Sequence, residues 1–169
     1  NRVVSMSIIH EELYKSEDAA SIDFAAYLQK LTEDILHSYR IGNEKVKLIL
    51  EVDSTLLGVD TAIPLGIIIN ELFSNSLKYA FSKGAEGKIR ISLSRNEAEY
   101  QKIDKATEKK VPEVSPRFTL TYSDNGIRFP EKVDFNNPKT LGLQLVNALV
   151  EQINGTIELE RENETKYTI

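Results

Sequence analysis

Glu71, Asn75 and Lys78 bring a carboxylate, an amide and an ammonium together at i, i+4 and i+7, the spacing that sets three side chains on one face of a helix. The surrounding Ile67, Ile68, Ile69, Leu72 and Leu77 mark that helix as otherwise largely buried, where polar groups are costly unless partnered. A ligand can be that partner. The set suits a metal-bound triphosphate: the Asn75 side-chain oxygen can complete an octahedral Mg²⁺ shell, Lys78 can neutralise a phosphate, and Glu71 can orient a nucleophile or a metal-bound water. Solvated groups at a helix edge fit the same spacing, so the triplet alone leaves both readings open. A second cluster, Ser123-Asp124-Asn125-Gly126, ends a strand pattern. Asp124 can accept a hydrogen bond from adenine's exocyclic amine, and guanine presents an acceptor at that ring position instead. An ordinary Asn-Gly turn accounts for the same four residues. In the third cluster, Thr140-Leu141-Gly142-Leu143, Thr140 can cap a helix while Gly142 lets phosphate oxygens approach the exposed amides.

The elements that must position these groups follow from periodicity. Val3, Met6, Ile9, Leu13 and Tyr14 have helical spacing and predict a short leading helix. From Asp23 onward, Phe24, Tyr27, Leu28, Leu31, Ile35 and Leu36 form one apolar face, with Gly42 and Asn43 to stop the helix. Val46, Leu48, Leu50 and Val52 alternate as in a half-buried strand. Pro64 is placed to begin a long central helix over Leu65 to Phe81, which carries the triplet. Further strands are expected around Ile89–Leu93 and Phe118–Tyr122, with the charged stretch Asn96 to Pro116 between them as a long exposed hairpin loop. A last helix from about Thr140 to Ile153 is closed by Asn154 and Gly155, and strand patterns at Ile157–Leu159 and Tyr167–Ile169 end the chain. About five strands against about three helices predict an α+β, two-layer sandwich with a mixed sheet.

The 169 residues, 41% hydrophobic and 28% charged, are enough for one globular domain with a short attachment. A formal net charge of -5 argues against a general nucleic-acid binder, whose surface must be basic, and leaves a single bound nucleotide compatible. With no cysteine, thiolate metal sites and cysteine nucleophiles are excluded and a cytoplasmic location is expected. The longest apolar run, Ala62 to Ile69, is interrupted by Pro64 and Gly66 and too short to span a bilayer, so no direct membrane contact is expected from this segment.

In order along the chain, Asn70-Glu71-Leu72-Phe73-Ser74-Asn75-Ser76-Leu77-Lys78-Tyr79-Ala80-Phe81, then Asp124-Asn125-Gly126, then Thr140-Leu141-Gly142-Leu143-Gln144-Leu145-Val146 resemble the nucleotide boxes of sensor histidine kinases. These kinases share the Bergerat ATP-binding fold of the GHKL superfamily with gyrase, mismatch-repair ATPases and related chaperones. Within them the chain looks most like the HisKA_2/HWE-like subfamily. The resemblance implies an ATP-binding catalytic domain over 21–169, preceded in 1–20 by a remnant of the second helix of the dimerisation and histidine-phosphotransfer hairpin. By position it implies Asn75 as Mg²⁺ ligand, Glu71 as catalytic carboxylate and Lys78 as phosphate contact with Tyr79 beside it. It also implies Asp124 and Gly126 at the adenine, Thr140, Leu141, Gly142 and Leu143 at the triphosphate, and Thr165 at the nucleotide. Glu131 to Lys139 resembles a short ATP lid. The implied reaction moves the γ-phosphoryl group of ATP to a histidine on an upstream helix, and from there to an aspartate on a response-regulator receiver domain. A homodimer of the longer protein is also implied.

Three positions depart from the family pattern. Arg128 stands where a second glycine is usual and either obstructs the base or contacts phosphate. Glu164 replaces a glycine before Thr165, and the charged stretch before Phe118 is unusually long. His10 lies in the segment that resembles the second hairpin helix, whereas the acceptor belongs to the first, and His37 is expected to be a surface or packing residue. Two other classes fit the same residues: a degenerate kinase-like domain that only binds partners or dimerises, and a Bergerat-fold serine kinase or ATPase.

Overall fold

The computed structural model describes residues 21–39, 45–81, 86–103 and 110–169. The leading helix predicted over Val3 to Tyr14, with His10 in it, and the Gly42-Asn43 stop lie outside the described residues. Strand β1 (Ser21–Asp23) leads directly into α1 (Phe24–Ser38) because Asp23 caps the helix, its Oδ1 accepting from the amides of Ala25 and Ala26 at 3.1 and 3.3 Å. The six apolar residues that predicted α1 are all buried, and His37 on the opposite side is exposed. After β2 (Val46–Val52), β3 (Leu56–Gly58) pairs antiparallel with β1, setting buried Ile22 opposite buried Leu57. These three-residue strands are too short to carry a periodic signal.

The central helix α2 (Val59–Asn75) corrects one expectation: Pro64 is its sixth residue, not its beginning. Proline there cannot donate to the Asp60 carbonyl, so α2 goes without that one intrahelical bond near its start. Residues Ser76–Ala80 continue α2 as a single π-helical turn, in which the Phe81 amide reaches back five residues to the Ser76 carbonyl at 3.0 Å.

A second correction concerns the charged stretch. Strands β4 (Gly87–Ile103) and β5 (Lys110–Asp124) pair antiparallel far beyond the sheet, with Asn96 opposite Arg117 and Ile103 opposite Lys110. Much of the expected hairpin loop is thus a two-stranded ribbon. Backbone pairing between two strands does not itself require apolar alternation, which is why the pattern was silent there.

Helix α3 (Leu141–Gln152) ends in a Schellman motif: Asn154 takes a left-handed φ of 54°, its amide reaches Glu151 O at 3.0 Å, and the Gly155 amide reaches Val150 O at 2.9 Å. Strands β6 (Glu158–Glu160) and β7 (Thr165–Thr168) complete a five-stranded mixed sheet in the order β2-β4-β5-β7-β6, parallel only between β2 and β4. The expected two-layer α+β sandwich is what forms. Ile68, Ile69, Leu72 and Phe73 of α2 share one buried core with Ile89, Ile91, Leu120 and Tyr122 of the sheet, where the Phe73 and Tyr122 rings meet edge-on at 6.5 Å. Among the described residues no helix is long and apolar enough to cross a membrane.

Candidate functional site

Where α2 opens into its π-helical turn, beside the end of β5, the two layers part around a cavity of about 440 Å³. That volume is of the order expected for a small-ligand site. Ten of the residues singled out in the sequence line it: Glu71, Asn75, Lys78, Tyr79, Asp124, Arg128, Thr140, Gly142, Leu143 and Thr165. Gly126 and Leu141 do not, and Leu141 is exposed.

Each element sets its side chain differently. Glu71 and Asn75 face the cavity half-buried from the last turns of α2, while Lys78 and Tyr79 stand exposed at the mouth beyond the wider turn. Asp124 closes β5 as a buried carboxyl with one donor on each oxygen: the Ser76 hydroxyl donates to Oδ2 at 2.7 Å and the Gly126 amide to Oδ1 at 3.1 Å. The Tyr122 hydroxyl in turn donates to Ser76 Oγ at 2.8 Å. Burial pushes the Asp124 carboxyl above its ordinary range, Glu164 adds to the rise, and the bonds from Ser76 and Gly126 oppose it. Burial also raises the Tyr122 hydroxyl well above its usual value, so it stays protonated and able to donate.

Two glycines carry packing constraints. A Cβ on Gly126 would lie 2.6 Å from the Ala80 carbonyl oxygen, so this residue lets the loop after β5 cross the end of the π-turn, where the Ile127 amide bonds Ala80 O at 3.0 Å. A Cβ on Gly142 would lie 2.7 Å from Glu71 Oε2, so the start of α3 sits against the Glu71 carboxylate, a favourable place for a negative charge. Thr140 occupies the N-cap position with extended backbone, but its hydroxyl makes no capping bond, unlike the expected cap.

The outer wall is the loop from Ile127 to Lys139. Besides the Ile127 amide, its backbone is tied down by the Phe129 amide to Thr165 Oγ1 (3.0 Å), Val133 O to Arg161 Nη2 (3.2 Å), Phe135 O to Asn147 Nδ2 (3.0 Å) and Pro138 O to Gln144 Nε2 (3.0 Å). The Phe129, Phe135 and Tyr167 rings pack together at 5.5 to 6.4 Å, and the Arg161 guanidinium lies 5.3 Å over Phe129. Arg128 is exposed in this wall and forms part of the lining.

As site residues the sequence missed Leu72, Ser76, Ala80, Ile127, Phe129, Pro130 and Tyr167 in the lining, and Tyr122 behind Ser76. A serine directly after Asn75 in a buried run was the one available signal. Nothing in its spacing linked it to Asp124, 48 residues away. Chemically, the cavity offers a desolvated acceptor at one end and, along the rest of its lining, an amide oxygen, a carboxylate and the two cations Lys78 and Arg128. That donor set is chemically compatible with a magnesium-bound nucleotide.

Comparison with known proteins follows the same lines. Residues 60–169 match the family model described as histidine kinase-, DNA gyrase B-, and HSP90-like ATPase, and residues 1–39 match one described as histidine kinase. The chain is 24% identical over 164 residues to blue-light-activated histidine kinase 2 of Erythrobacter litoralis, covering 95% of this chain and 42% of that relative. It therefore spans less than half of that protein's length. Among solved structures, the histidine kinase domain of a blue-light-activated kinase from Erythrobacter litoralis matches with a TM-score of 0.76 at 23% identity, over 99% of this chain and 70% of that one. Acinetobacter baumannii histidine kinase AdeS matches with a TM-score of 0.57 at 19% identity, over 98% and 74%. At these identities the likeness is one of fold.

Proposed function

Since the chain belongs to the histidine kinase-, DNA gyrase B-, and HSP90-like ATPase family, we propose that its cavity binds Mg-ATP as the catalytic part of a two-component sensor histidine kinase. The observation that carries this is the buried Asp124 carboxyl, held by two donors at one end of a cavity whose wall also presents Asn75 and Lys78. Asp124 accepts from the adenine amine, and Thr165 lines the same end through β7, next to Asp124 in register. Lys78 and Arg128 neutralise phosphate charge, with Tyr79 at the mouth. Thr140, Leu141, Gly142 and Leu143 supply the start of α3 toward the phosphates, and Gly126 keeps the base-side loop close. Asn75 is the magnesium ligand. Held there by Asn75, Mg²⁺ would supply positive charge to offset that on the phosphoryl oxygens. Glu71, set against the start of α3, is the catalytic carboxylate that orients the acceptor nitrogen. Positioning and charge stabilisation then account for most of the catalysis.

The phosphoryl acceptor is a histidine on a helix upstream of this segment, and an aspartate of a response-regulator receiver domain takes the group next. Residues 1–20 belong to the dimerisation and phosphotransfer hairpin and 21–169 to the catalytic domain, working in the cytoplasm with the longer protein as a homodimer. The open cavity beside an exposed Arg128 favours a working nucleotide site over a docking module. The test is calorimetry with MgATP, together with incubation of the segment with γ-labelled ATP. Saturable magnesium-dependent binding without labelling of the segment is expected. No binding at millimolar nucleotide sinks the proposal, and stable label on His10 overturns the assignment of the acceptor to the upstream helix.

A further inference from the structure

We propose that Tyr122 and Ser76 form a directed hydroxyl relay that fixes Asp124 as a pure hydrogen-bond acceptor, making Ser76 the positioning residue for recognition of the 6-amino group of an adenine nucleotide. The proposal rests on the assignment of the cavity to ATP and adds to it the groups that make Asp124 selective.

A hydroxyl carries one proton, so the direction of each bond in a chain of hydroxyls is set by its neighbours. The Tyr122 hydroxyl donates its proton to Ser76 Oγ at 2.8 Å. Ser76 in turn gives its own proton to Asp124 Oδ2 at 2.7 Å, a length typical of a charge-assisted bond. The Gly126 amide, which can only donate, occupies Oδ1 at 3.1 Å. Each of these protons points toward the carboxylate. Ser76, Tyr122 and Asp124 are all buried, so no bulk water competes to reverse the chain.

The consequence is a polarity rule at the base end of the cavity. A carboxylate that receives donors on both oxygens keeps only lone pairs for a ligand, so the ligand atom facing it must carry a proton. The 6-amino group of adenine does, while the 6-keto oxygen of guanine sets lone pair against lone pair. Losing the Ser76 hydroxyl frees one oxygen from its tie and removes a bond that favours the ionised form. Burial then pulls the carboxyl toward its neutral state, which donates as well as accepts. The π-helical turn beginning at Ser76 accounts for its inward direction, while Lys78 and Tyr79 in the same turn stand at the exposed mouth.

The test compares binding of MgATP with that of the magnesium complex of purine riboside triphosphate, which lacks only the amino group, to the whole chain and to its Ser76→Ala and Tyr122→Phe variants. The chain itself should prefer ATP. Ser76→Ala should weaken ATP binding about tenfold while leaving the analogue within about twofold, and Tyr122→Phe should shift the same preference in the same direction by about threefold. An equal loss for both ligands would make Ser76 a structural residue and overturn the proposal, as would an unchanged preference in both variants. If Ser76→Ala does not fold, Tyr122→Phe decides with the same pair of ligands. A preference for ATP that Asp124→Asn removes and Ser76→Ala keeps sinks the relay alone. Equal binding of ATP and the analogue by the unaltered chain, or binding of neither, sinks the adenine assignment and the relay with it.

Discussion

The cavity has two walls built on opposite principles. The inner wall, from the last turns of α2, the π-turn and the end of β5, is part of the core: Asp124 is 3% exposed and its partners Ser76 and Tyr122 are buried with it. The outer wall, from Ile127 to Lys139, is irregular chain in which Ile127 is 66% exposed and Arg128 is also open to solvent. Behind it lies a second cavity of about 730 Å³, lined by residues 131–136 and 157–161, with Val133 facing both cavities. That wall is therefore a thin partition held by a few bonds and one aromatic cluster. The contrast teaches where selectivity and adaptability reside. A group locked in the core cannot move to suit a poor ligand, whereas a loop backed by open space can.

The largest test of this contrast is Asp124→Asn, which should weaken ATP binding about 100-fold, the loss expected when a hydrogen bond to a buried charged group is removed. A change below about threefold in calorimetry would mean that the inner wall does not read the base. The same residue separates two pH dependences. Because burial raises the Asp124 carboxyl above its unfolded value, the native state holds that proton more tightly. The stability it contributes therefore falls as pH rises from the ordinary carboxylate range through the raised one. ATP affinity should rise over the same window as the carboxylate ionises, and Asp124→Asn should flatten both trends in melting and binding measured against pH.

Next in size, Gly126→Ala should destabilise the domain by about 2 kcal/mol in urea unfolding, since the new methyl meets the Ala80 backbone rather than a movable side chain. The outer wall should respond less. Arg161→Met removes the guanidinium from the Phe129 ring and from Val133 O, and should cost about 1 kcal/mol or less. Its signature is faster amide exchange in 129–138 with the end of β5 unchanged, and equal acceleration in both places would erase the distinction between the walls. Smallest of all, Arg128→Gly should lower ATP affinity by about threefold or less, as expected for losing an exposed cation near phosphate. A gain in affinity would show that Arg128 obstructs the cavity.

Much of this was legible in the sequence because it depends on short-range order. Burial of one face forces the spacing of Phe24, Tyr27, Leu28, Leu31, Ile35 and Leu36, and strand alternation is just as local at Val46 to Val52. The three polar clusters could be read for chemistry because a carboxylate, an amide or a glycine keeps its capability wherever the fold puts it. Boundaries were less legible. Pro64 looked like a helix start because nothing local reveals that the first turn lies before it, and the β4–β5 ribbon left no apolar trace.

What only the tertiary structure decided is which groups meet. Asp124 accepts from Ser76 because the packing of α2 on β5, and the phase change of one π-helical turn, bring a serine 48 residues away within 2.7 Å of it. Gly126 is confined by Ala80 and Gly142 by Glu71 for the same reason. Periodicity fixes the face an element buries, but the partner across that face is set by how the layers stack, and no spacing along a single segment encodes it.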